Sequence, residues 1–239
     1  MRPRTAAILQ PNYLPWVGTF DLIDRVDVWV WLDTVQYTKN DWRNRNRIAP
    51  PRGEPFWLTL PVQTHGRLGQ TIAEATLDPR QDWAKRHLRS LEQAYAQAPS
   101  GPEVVELLRP SLEARPARLV DVTVPTCEAL SRALGCETEF VLASRLATRE
   151  EGRNERVLAI CAEVGAARYV SGPAARAYMD EALFRERGVE VVFADYAYPP
   201  YPRGAHPPQD RLSAVDAFAW LGFARTREFL RAHSCVSPA

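Results

Sequence analysis

Residues 6–15 read Ala6-Ala7-Ile8-Leu9-Gln10-Pro11-Asn12-Tyr13-Leu14-Pro15, and this stretch decides the fold because an apolar run stops at a loop with two prolines. Proline disrupts a helix and favours an extended residue before it, so we predict a strand over 6–9 that ends in an ordered, extended loop. A short amphipathic helix is predicted over 17–26. Residues 28–32 form an apolar run, which predicts a strand buried on both faces of a parallel sheet. Together these elements predict a right-handed βαβ unit.

The rest of the chain alternates predicted strands with predicted helices. Asp78 and Pro79 favour a helix start, with Asp78 as the N-cap, and Gly135 and Gly165 favour helix ends. The further predicted strands cover residues 56–62, 138–143, 169–171 and 189–193. The further predicted helices cover residues 78–96, 107–134 (broken near Pro116 and Pro125), 154–164 and 212–221, with a charged loop at 144–154 and a helical turn at 173–179. The alternation predicts an α/β protein with a three-layer, Rossmann-like architecture, in which helices flank a mostly parallel sheet.

The composition is that of an ordinary globular protein. The chain has 239 residues, 46% of them apolar, which suits one large α/β domain. Thirty Lys and Arg against 29 Asp and Glu leave a net charge of +1, so charge alone does not impose binding to nucleic acid or to an anionic membrane. No apolar segment of the roughly seven residues that a signal peptide needs follows the basic start, and no stretch approaches roughly 18 uncharged apolar residues. We therefore expect a cytoplasmic protein without a signal peptide or a membrane span.

The cysteines and histidines predict neither a disulfide nor a metal site. The four cysteines lack CxxC spacing, which is typical of reduced, mostly buried thiols. The four histidines show no i,i+4 or HxH pairing. These residues are Cys127, Cys136, Cys161, Cys235, His65, His87, His206 and His233. The GxGxxG, P-loop, GxSxG and HExxH motifs of several large enzyme classes do not occur in the sequence.

The loop over 10–18 is the first candidate site. It follows the first predicted strand, and ligands of open α/β sheets bind at the carboxyl ends of the strands. Tyr13 and Trp16 can stack on a planar group, while Gln10 and Asn12 can hydrogen-bond to it. The alternative is a rigid turn that only covers the end of the sheet.

The segment 33–47 is the second candidate site, because it follows the second predicted strand. Its fifteen residues contain four cations, three Asn, one Gln and two aromatic residues. Arginine binds carboxylates and phosphates bidentately, and lysine supplies a point charge or a nucleophilic amine. The alternative is a solvated, charged loop. We predict that the side chains of Gln10, Tyr13, Gln36 and Lys39 converge on one pocket at the carboxyl edge of the sheet.

Both segments resemble signatures of the WbqC-like family. The first signature reads Gln10-Pro11-Asn12-Tyr13-Leu14-Pro15-Trp16-x-Gly18-x-Phe20. The second reads Leu32-Asp33-x-Val35-Gln36-Tyr37-x-Lys39-x-x-Trp42-x-Asn44-Arg45-Asn46-Arg47-Ile48. Shorter matches, at 57–62, 83–88, 95–99, 171–178, 200–202 and 212–216, extend the resemblance over most of the chain. It implies a single domain over 1–239, with a βαβ region over 1–62, a helical middle over 78–135, an α/β portion over 138–222 and a short tail over 223–239.

The resemblance implies a role in bacterial biosynthesis. Members of the family occur with O-antigen, other surface-sugar and natural-product pathways, and a glycine (aminoacyl) transferase role has been suggested for them. The chain departs from the family pattern at Leu9, where many members have His, and at Arg203, where they tend to have Gln. These departures point to a different acceptor. A weaker similarity, at the level of the fold, is to nucleotidyltransferase-like and pantothenate-synthetase-like proteins.

We therefore expect a transferase that moves an acyl group, of aminoacyl (glycyl) type, onto an amine or hydroxyl of a sugar or natural-product intermediate. The donor would be an aminoacyl-tRNA, a carrier-protein thioester or a group activated by ATP. The candidate proton handlers are Lys39, His87, Tyr37 and Asp33. The predicted substrate-binding residues are Gln10, Asn12, Tyr13, Trp16, Gln36, Trp42, Asn44, Arg45, Asn46 and Ser171. Among these, Asn44, Arg45 and Asn46 would stabilise an oxyanion or bind a phosphate.

Two alternatives stay open. One is a nucleotide-dependent enzyme that adenylates or ligates a small acid, with residues 144–156 as a phosphate loop at a helix N-terminus. The other is a non-catalytic module whose Trp-rich groove binds a carbohydrate or a carrier protein. A catalytic Lys39 predicts that Lys39→Ala is folded but inactive, whereas a solvated loop predicts unchanged turnover.

Overall fold

The computed structural model describes residues 2–50, 53–207, 209 and 211–233 of the chain. Its strands are β1 (Thr5–Leu9), β2 (Val28–Trp31), β3 (Arg45–Ile48), β4 (Phe56–Thr59), β5 (Glu139–Leu142), β6 (Arg168–Ser171) and β7 (Glu190–Phe193). Its helices are α1 (Val17–Asp24), α2 (Trp83–Tyr95), α3 (Gly101–Glu113), α4 (Val120–Ala133), α5 (Arg153–Glu163), α6 (Glu181–Glu186), α7 (Ala214–Leu221) and α8 (Phe223–His233). Short 3₁₀ turns at Ala143–Arg145 and Pro173–Ala177 follow β5 and β6.

Five of these strands form one parallel sheet in the order β5-β2-β1-β6-β7. Leu9 lies opposite Trp31, and Trp31 lies opposite Leu142, so the carboxyl ends of these strands are level. Counted along the chain, the order is third, second, first, fourth, fifth, as in a Rossmann-like sheet. The order reverses between β1 and β6, and such a switch point is where α/β sheets bind ligands. The predicted α/β class with a parallel sheet between helices is confirmed.

The sheet is buried on both faces, as its apolar runs predict. Ala7, Trp29 and Trp31 contribute to one hydrophobic core, together with residues of α1, α2, α3, α4, α7 and α8. Ala6 and Val28 contribute to a second core, together with residues of α5 and α6. Successive residues of a strand point to opposite faces, so β1 and β2 need apolar side chains at almost every position.

The sequence predicts a loop over residues 33–47, but the last part of this segment enters a hairpin. β3 pairs antiparallel with β4, with Arg45 opposite Thr59, and the pair lies outside the parallel sheet. Only one of the four residues of β3 is apolar, so the segment carries no strand pattern. The amide of its buried Asn46 is fully bonded, since Nδ2 donates to the carbonyl of Leu14, 32 residues earlier, at 2.7 Å and Oδ1 accepts from the Arg47 backbone at 2.8 Å.

Two predicted features of the helical middle are wrong. α2 begins at Trp83 rather than at Asp78, because the Asp78 carboxylate accepts hydrogen bonds from the backbone and guanidinium of Arg80 and so stabilises a turn. Pro125 does not break α4, which runs on from Val120 and contacts α1 and α3. Tertiary packing of this helix outweighs the local effect of the proline.

Residues 223–233 of the predicted short tail form α8. The Asp24 carboxylate at the end of α1 accepts hydrogen bonds from Arg227 at 2.6 Å and from Arg231 at 2.7 Å. These charge-assisted bonds hold α8 against α1. Residues 234–239 of the predicted tail lie outside the described residues.

Three absences hold for the described residues. No helix there has the length and apolar character needed to cross a membrane. No group of three or more His, Cys, Asp or Glu side chains in that part of the chain could hold a metal ion. Cys127, Cys136 and Cys161 are free thiols, and Cys235 lies outside the described part.

Candidate functional site

A cavity of about 730 Å³, here termed the switch-point cavity, opens between the carboxyl ends of β1 and β6. Its polar lining comes from Gln10, Glu151, Arg153, Asn154, Arg156, Ser171 and Tyr178. α5 begins at this cavity, and the free N–H groups at a helix N-terminus attract anions. With two arginines beside that helix end, the switch-point cavity suits a ligand with an anionic group.

Only the second half of the predicted phosphate loop 144–156 reaches this cavity. Arg153 lies there with its guanidinium 4.3 Å from the centroid of the Tyr178 ring. Ser144 instead donates from its backbone N and its Oγ to the Asp33 carboxylate, at 2.9 and 2.6 Å. Asp33 is buried and caps the turn after β5, so the geometry favours a structural role for it over proton handling.

A second cavity, of about 380 Å³ and here termed the Trp16 cavity, lies on the α1 side of the end of β1. It is lined by Leu9, Gln10, Asn12, Pro15, Trp16, Thr19, Trp42, Arg43, Asn46 and Arg211. Leu9 and Gln10 line this cavity and the switch-point cavity alike. The two cavities therefore adjoin at the end of β1.

Three buried polar atoms of the Trp16 cavity have no hydrogen-bond partner among the described residues. They are Thr19 Oγ1, Asn12 Oδ1 and Arg43 Nε. Thr19 itself is only 4% exposed. An unsatisfied buried polar atom costs about 1–3 kcal/mol, so native structures rarely keep one without a reason. A ligand with an amine or hydroxyl group would satisfy these atoms.

Arg43 is held in place by two side chains. Its Nη1 donates to Asp41 Oδ2 at 2.8 Å, and its Nη2 donates to Gln10 Oε1 at 2.6 Å. These bonds orient the guanidinium and leave the Nε–H for a ligand. Sequence reasoning does not single out Arg43 among the cations of its segment. Its contact with Gln10, 33 residues earlier, exists only in the folded chain.

Trp16 forms the exposed wall of the Trp16 cavity. A Cβ atom on Gly18 would lie 2.3 Å from the Trp16 ring, so the indole rests directly against this glycine. The ring also packs edge-to-face on Tyr196, with the centroids 5.0 Å apart. A glycine is therefore required two residues after Trp16, because any side chain there would collide with the indole beside the first turn of α1.

A third cavity, of about 560 Å³ and here termed the hairpin pocket, lies between β4, the segment 37–40 and α2. Its polar lining comes from Tyr37, Lys39, Asn40, Asn44, Thr59, Gln81, Arg86, His87 and Ser90. None of its described lining residues also lines the Trp16 cavity. The ring centroids of Trp42 and Trp57 are 5.5 Å apart. Trp42 lines the Trp16 cavity, and Trp57 lines the hairpin pocket.

His87 is a buried wall of the hairpin pocket. Burial and the nearby charge of Arg86 lower its pKa to about 4, although a backbone hydrogen bond to Thr59 opposes this. Burial raises the pKa of Tyr13, whose hydroxyl lies 2.8 Å from His87 Nδ1. Both side chains are therefore neutral at pH 7, and because the imidazole N–H is used by the Thr59 backbone, Nδ1 accepts from the Tyr13 hydroxyl. This pairing favours a structural role for His87, while the predicted catalytic roles of Lys39 and Tyr37 stay predictions.

The predicted convergence of Gln10, Tyr13, Gln36 and Lys39 on one pocket is wrong. Gln10 lines the switch-point and Trp16 cavities, whereas Lys39 lines the hairpin pocket. Tyr13 is wholly buried, and Gln36 is exposed and forms an antiparallel bridge with Thr71. The side chains separate because the segment after β2 leaves the sheet edge and enters the hairpin.

The other predicted site residues are divided among the same cavities. Asn12, Trp16, Trp42 and Asn46 line the Trp16 cavity, and Ser171 lines the switch-point cavity. Asn44 lines the hairpin pocket. The Arg45 guanidinium lies 4.3 Å from the centroid of the Trp57 ring, which is also in that pocket. The two signatures thus build adjacent sites rather than one.

Arg203, where the chain departs from the family pattern, is part of the core. Its Nε and Nη2 donate to the buried Asp216 carboxylate at 2.9 and 3.0 Å. Its Nη2 also donates to the Ala49 carbonyl at 3.2 Å, and Asp216 accepts a further bond from the Tyr201 hydroxyl at 2.8 Å. Arg203 therefore ties its loop to α7 and to the end of β3, and it lines none of the three cavities.

Comparison with known proteins agrees with the resemblance seen in the sequence. An uncharacterized protein of Mycobacterium tuberculosis (strain ATCC 25618 / H37Rv) is 41% identical over 194 residues, which are 81% of this chain and 83% of that protein. No solved structure matches the chain significantly. The model of the WbqC-like protein family matches residues 10–228, which include both signatures. With nearly its whole length matched, the chain belongs to the WbqC-like family.

Proposed function

We propose that the protein is a biosynthetic transferase that moves an acyl group, of aminoacyl type, onto an amine or hydroxyl of a sugar or natural-product intermediate. The observation that most supports this is the pair of cavities that share Leu9 and Gln10. Group transfer requires two bound substrates whose reacting atoms come within roughly 3–3.5 Å of each other. Adjoining cavities at the switch point of the sheet support such a placement of two substrates.

The donor occupies the switch-point cavity. Aminoacyl-tRNA, acyl adenylates and carrier-protein thioesters all carry a phosphate group, which lies close to the activated acyl carbon in the first two and at the far end of the phosphopantetheine arm in the third. Arg153, Arg156 and the first turn of α5 offer positive charge and free N–H groups to such a phosphate. The acyl group of the donor then extends towards Gln10, where the two cavities adjoin.

The acceptor occupies the Trp16 cavity, where Thr19 Oγ1 and Asn12 Oδ1 hydrogen-bond its amine or hydroxyl. The acceptor nitrogen or oxygen attacks the acyl carbon and forms the new C–N or C–O bond. The bond from the acyl carbon to the sulfur or oxygen of the donor breaks, and the acceptor proton leaves with the donor group. The Nε–H of Arg43 stabilises the negative charge that develops on the acyl oxygen.

A second candidate is an enzyme that uses ATP to adenylate or ligate a small acid. Arg153 and Asn154 at the N-terminus of α5 line a cavity at the switch point, an arrangement typical of nucleotide phosphate sites. In that case the triphosphate occupies the switch-point cavity and the acid occupies the Trp16 cavity.

Calorimetric titration separates the two candidates. The purified protein is titrated with ATP, with S-glycyl-phosphopantetheine and with a non-hydrolysable mimic of the 3′ end of glycyl-tRNA. A transferase binds one of the two glycyl compounds and not ATP, whereas a ligase binds ATP. Arg153→Ala is expected to weaken the binding about tenfold, and Arg187→Ala, an exposed arginine outside the switch-point cavity, serves as the control. If no compound binds, or if Arg153→Ala binds as the wild type does, the proposal is wrong.

A further inference from the structure

We propose that the hairpin pocket is a second ligand site, which binds a phosphorylated polyol such as a sugar phosphate. The pocket shares no described lining residue with the switch-point cavity or the Trp16 cavity. The proposal therefore goes beyond the transferase function and does not depend on it.

The base of the pocket carries two unsatisfied polar atoms. Tyr37 Oη and Asn44 Oδ1 are buried and have no hydrogen-bond partner within the described part of the chain. Tyr37 is 6% exposed and Asn44 is 3% exposed. Two atoms of this kind in one pocket leave buried hydrogen-bonding capacity that a ligand can use.

The chemistry of these two atoms selects a hydroxyl group. Asn44 Nδ2 donates to the Leu60 carbonyl at 2.9 Å, so the amide cannot turn over, and its Oδ1 stays an acceptor. Burial and the charge of Asp41 raise the pKa of Tyr37 to about 12, so its hydroxyl stays a donor at pH 7. Ligand hydroxyl groups can donate to Asn44 Oδ1 and accept from Tyr37 Oη, whereas an apolar group can do neither.

The rest of the polar lining carries positive charge. Lys39 and Arg86 are exposed side chains that line the pocket, and its described lining includes no Asp or Glu. Two cations without an acidic partner in the same pocket favour an anionic ligand. A phosphate fits best, because arginine binds it through two parallel hydrogen bonds and lysine binds it as a point charge.

One wall of the pocket is an exposed indole. Trp57 is 41% exposed, and the Arg45 guanidinium lies 4.3 Å from its ring centroid. A large aromatic surface beside unsatisfied polar atoms is typical of binding sites. A sugar ring has apolar C–H faces and hydroxyl edges, so it matches an indole wall with a polar base.

Isothermal titration calorimetry of the full chain with ribose 5-phosphate tests the proposal. We expect binding that Tyr37→Phe and Arg86→Ala each weaken about tenfold. Tyr37→Phe removes only a hydroxyl that no described residue uses, so a thermal melt should show an unchanged fold. Arg89→Ala is the matched control, because Arg89 lies three residues further along α2 and lines a different surface. It should bind as the wild type does.

Two further titrations, with AMP and with inorganic phosphate, identify the source of the ligand. Weaker binding of AMP supports a free sugar phosphate, and equal or tighter binding of AMP supports a nucleotide as the source of the same chemistry. Inorganic phosphate bound as tightly as ribose 5-phosphate would overturn the proposal, because the base of the pocket would then play no part. No binding, or binding that survives both variants, would overturn it as well. Arg43→Ala should leave this binding intact, so failure here is distinct from failure of the transferase proposal.

Discussion

The hydroxyl of Tyr13 donates a hydrogen bond to Nδ1 of His87 over 2.8 Å, and both side chains are buried. The bond joins the loop after β1 to α2, although the two residues are 74 positions apart. The loop lines the Trp16 cavity, while His87 lines the hairpin pocket. This hydrogen bond therefore links the walls of two candidate sites.

The stability of the protein should fall as the pH drops from 6.5 to 4. The folded-state pKa of His87 is about 4, below its ordinary value of 6.5, so in this interval the unfolded chain binds a proton that the folded chain does not. The contribution is fully present above pH 6.5 and is lost as the pH falls to 4, and it amounts to about 3 kcal/mol. Urea unfolding measured at several pH values checks this.

His87→Gln should flatten the stability profile over the same interval, because it removes the titrating ring. His65→Gln, at an exposed position, is the control and should leave the profile unchanged. A wild-type profile that is flat between pH 6.5 and 4 would contradict the assignment of a buried, neutral imidazole.

Thr19→Val should leave the fold as stable as the wild type, or up to about 1 kcal/mol more stable, because the lost hydroxyl has no described partner. The acceptor should then bind more weakly, since valine cannot hydrogen-bond to it. Thr226→Val is the matched control for stability. Thr226 Oγ1 donates to the Gly222 carbonyl at 2.7 Å, so its loss should destabilise the protein by about 1 kcal/mol. Equal destabilisation of both variants in urea unfolding would show that Thr19 Oγ1 makes a hydrogen bond in the folded protein.

Arg43→Lys should lower the turnover of the proposed transfer roughly a hundredfold and leave the fold intact. Lysine keeps the charge but cannot bond to Asp41 and Gln10 while presenting an N–H to the acyl oxygen. Product formation followed by mass spectrometry measures the effect. Arg67→Lys, in an exposed turn, should keep wild-type turnover. Unchanged turnover of Arg43→Lys would remove Arg43 from the proposed chemistry.

Arg203→Ala should destabilise the protein by about 3–5 kcal/mol, because it leaves the buried Asp216 carboxylate without its cation. Arg176→Ala breaks an ion pair between two exposed side chains and should change the free energy of unfolding by less than about 1 kcal/mol. Chemical denaturation of the two variants gives the comparison. A small effect of Arg203→Ala would mean that water reaches Asp216 readily.

Much of the fold could be predicted because its elements depend on local patterns. The apolar runs at 6–9 and 28–32 place apolar residues on both faces, as a central strand requires. Each run forms a strand of the parallel sheet. Gly165 ends α5 with a φ of +69°, a conformation that glycine adopts without strain. β3 lacks such a pattern, and its Asn46 side chain donates to the carbonyl of Leu14, 32 residues earlier, so its sequence reads as a loop.

The sequence by itself determined the α/β class, the parallel sheet and the family, because apolar periodicity and the two signatures are properties of neighbouring residues. Only the tertiary structure decided how the second signature is divided between the Trp16 cavity and the hairpin pocket. It also decided that Arg43 bonds to Gln10 and that Thr19 faces a cavity without a described partner. Such contacts depend on the path of the chain between distant residues, and local propensity does not encode that path.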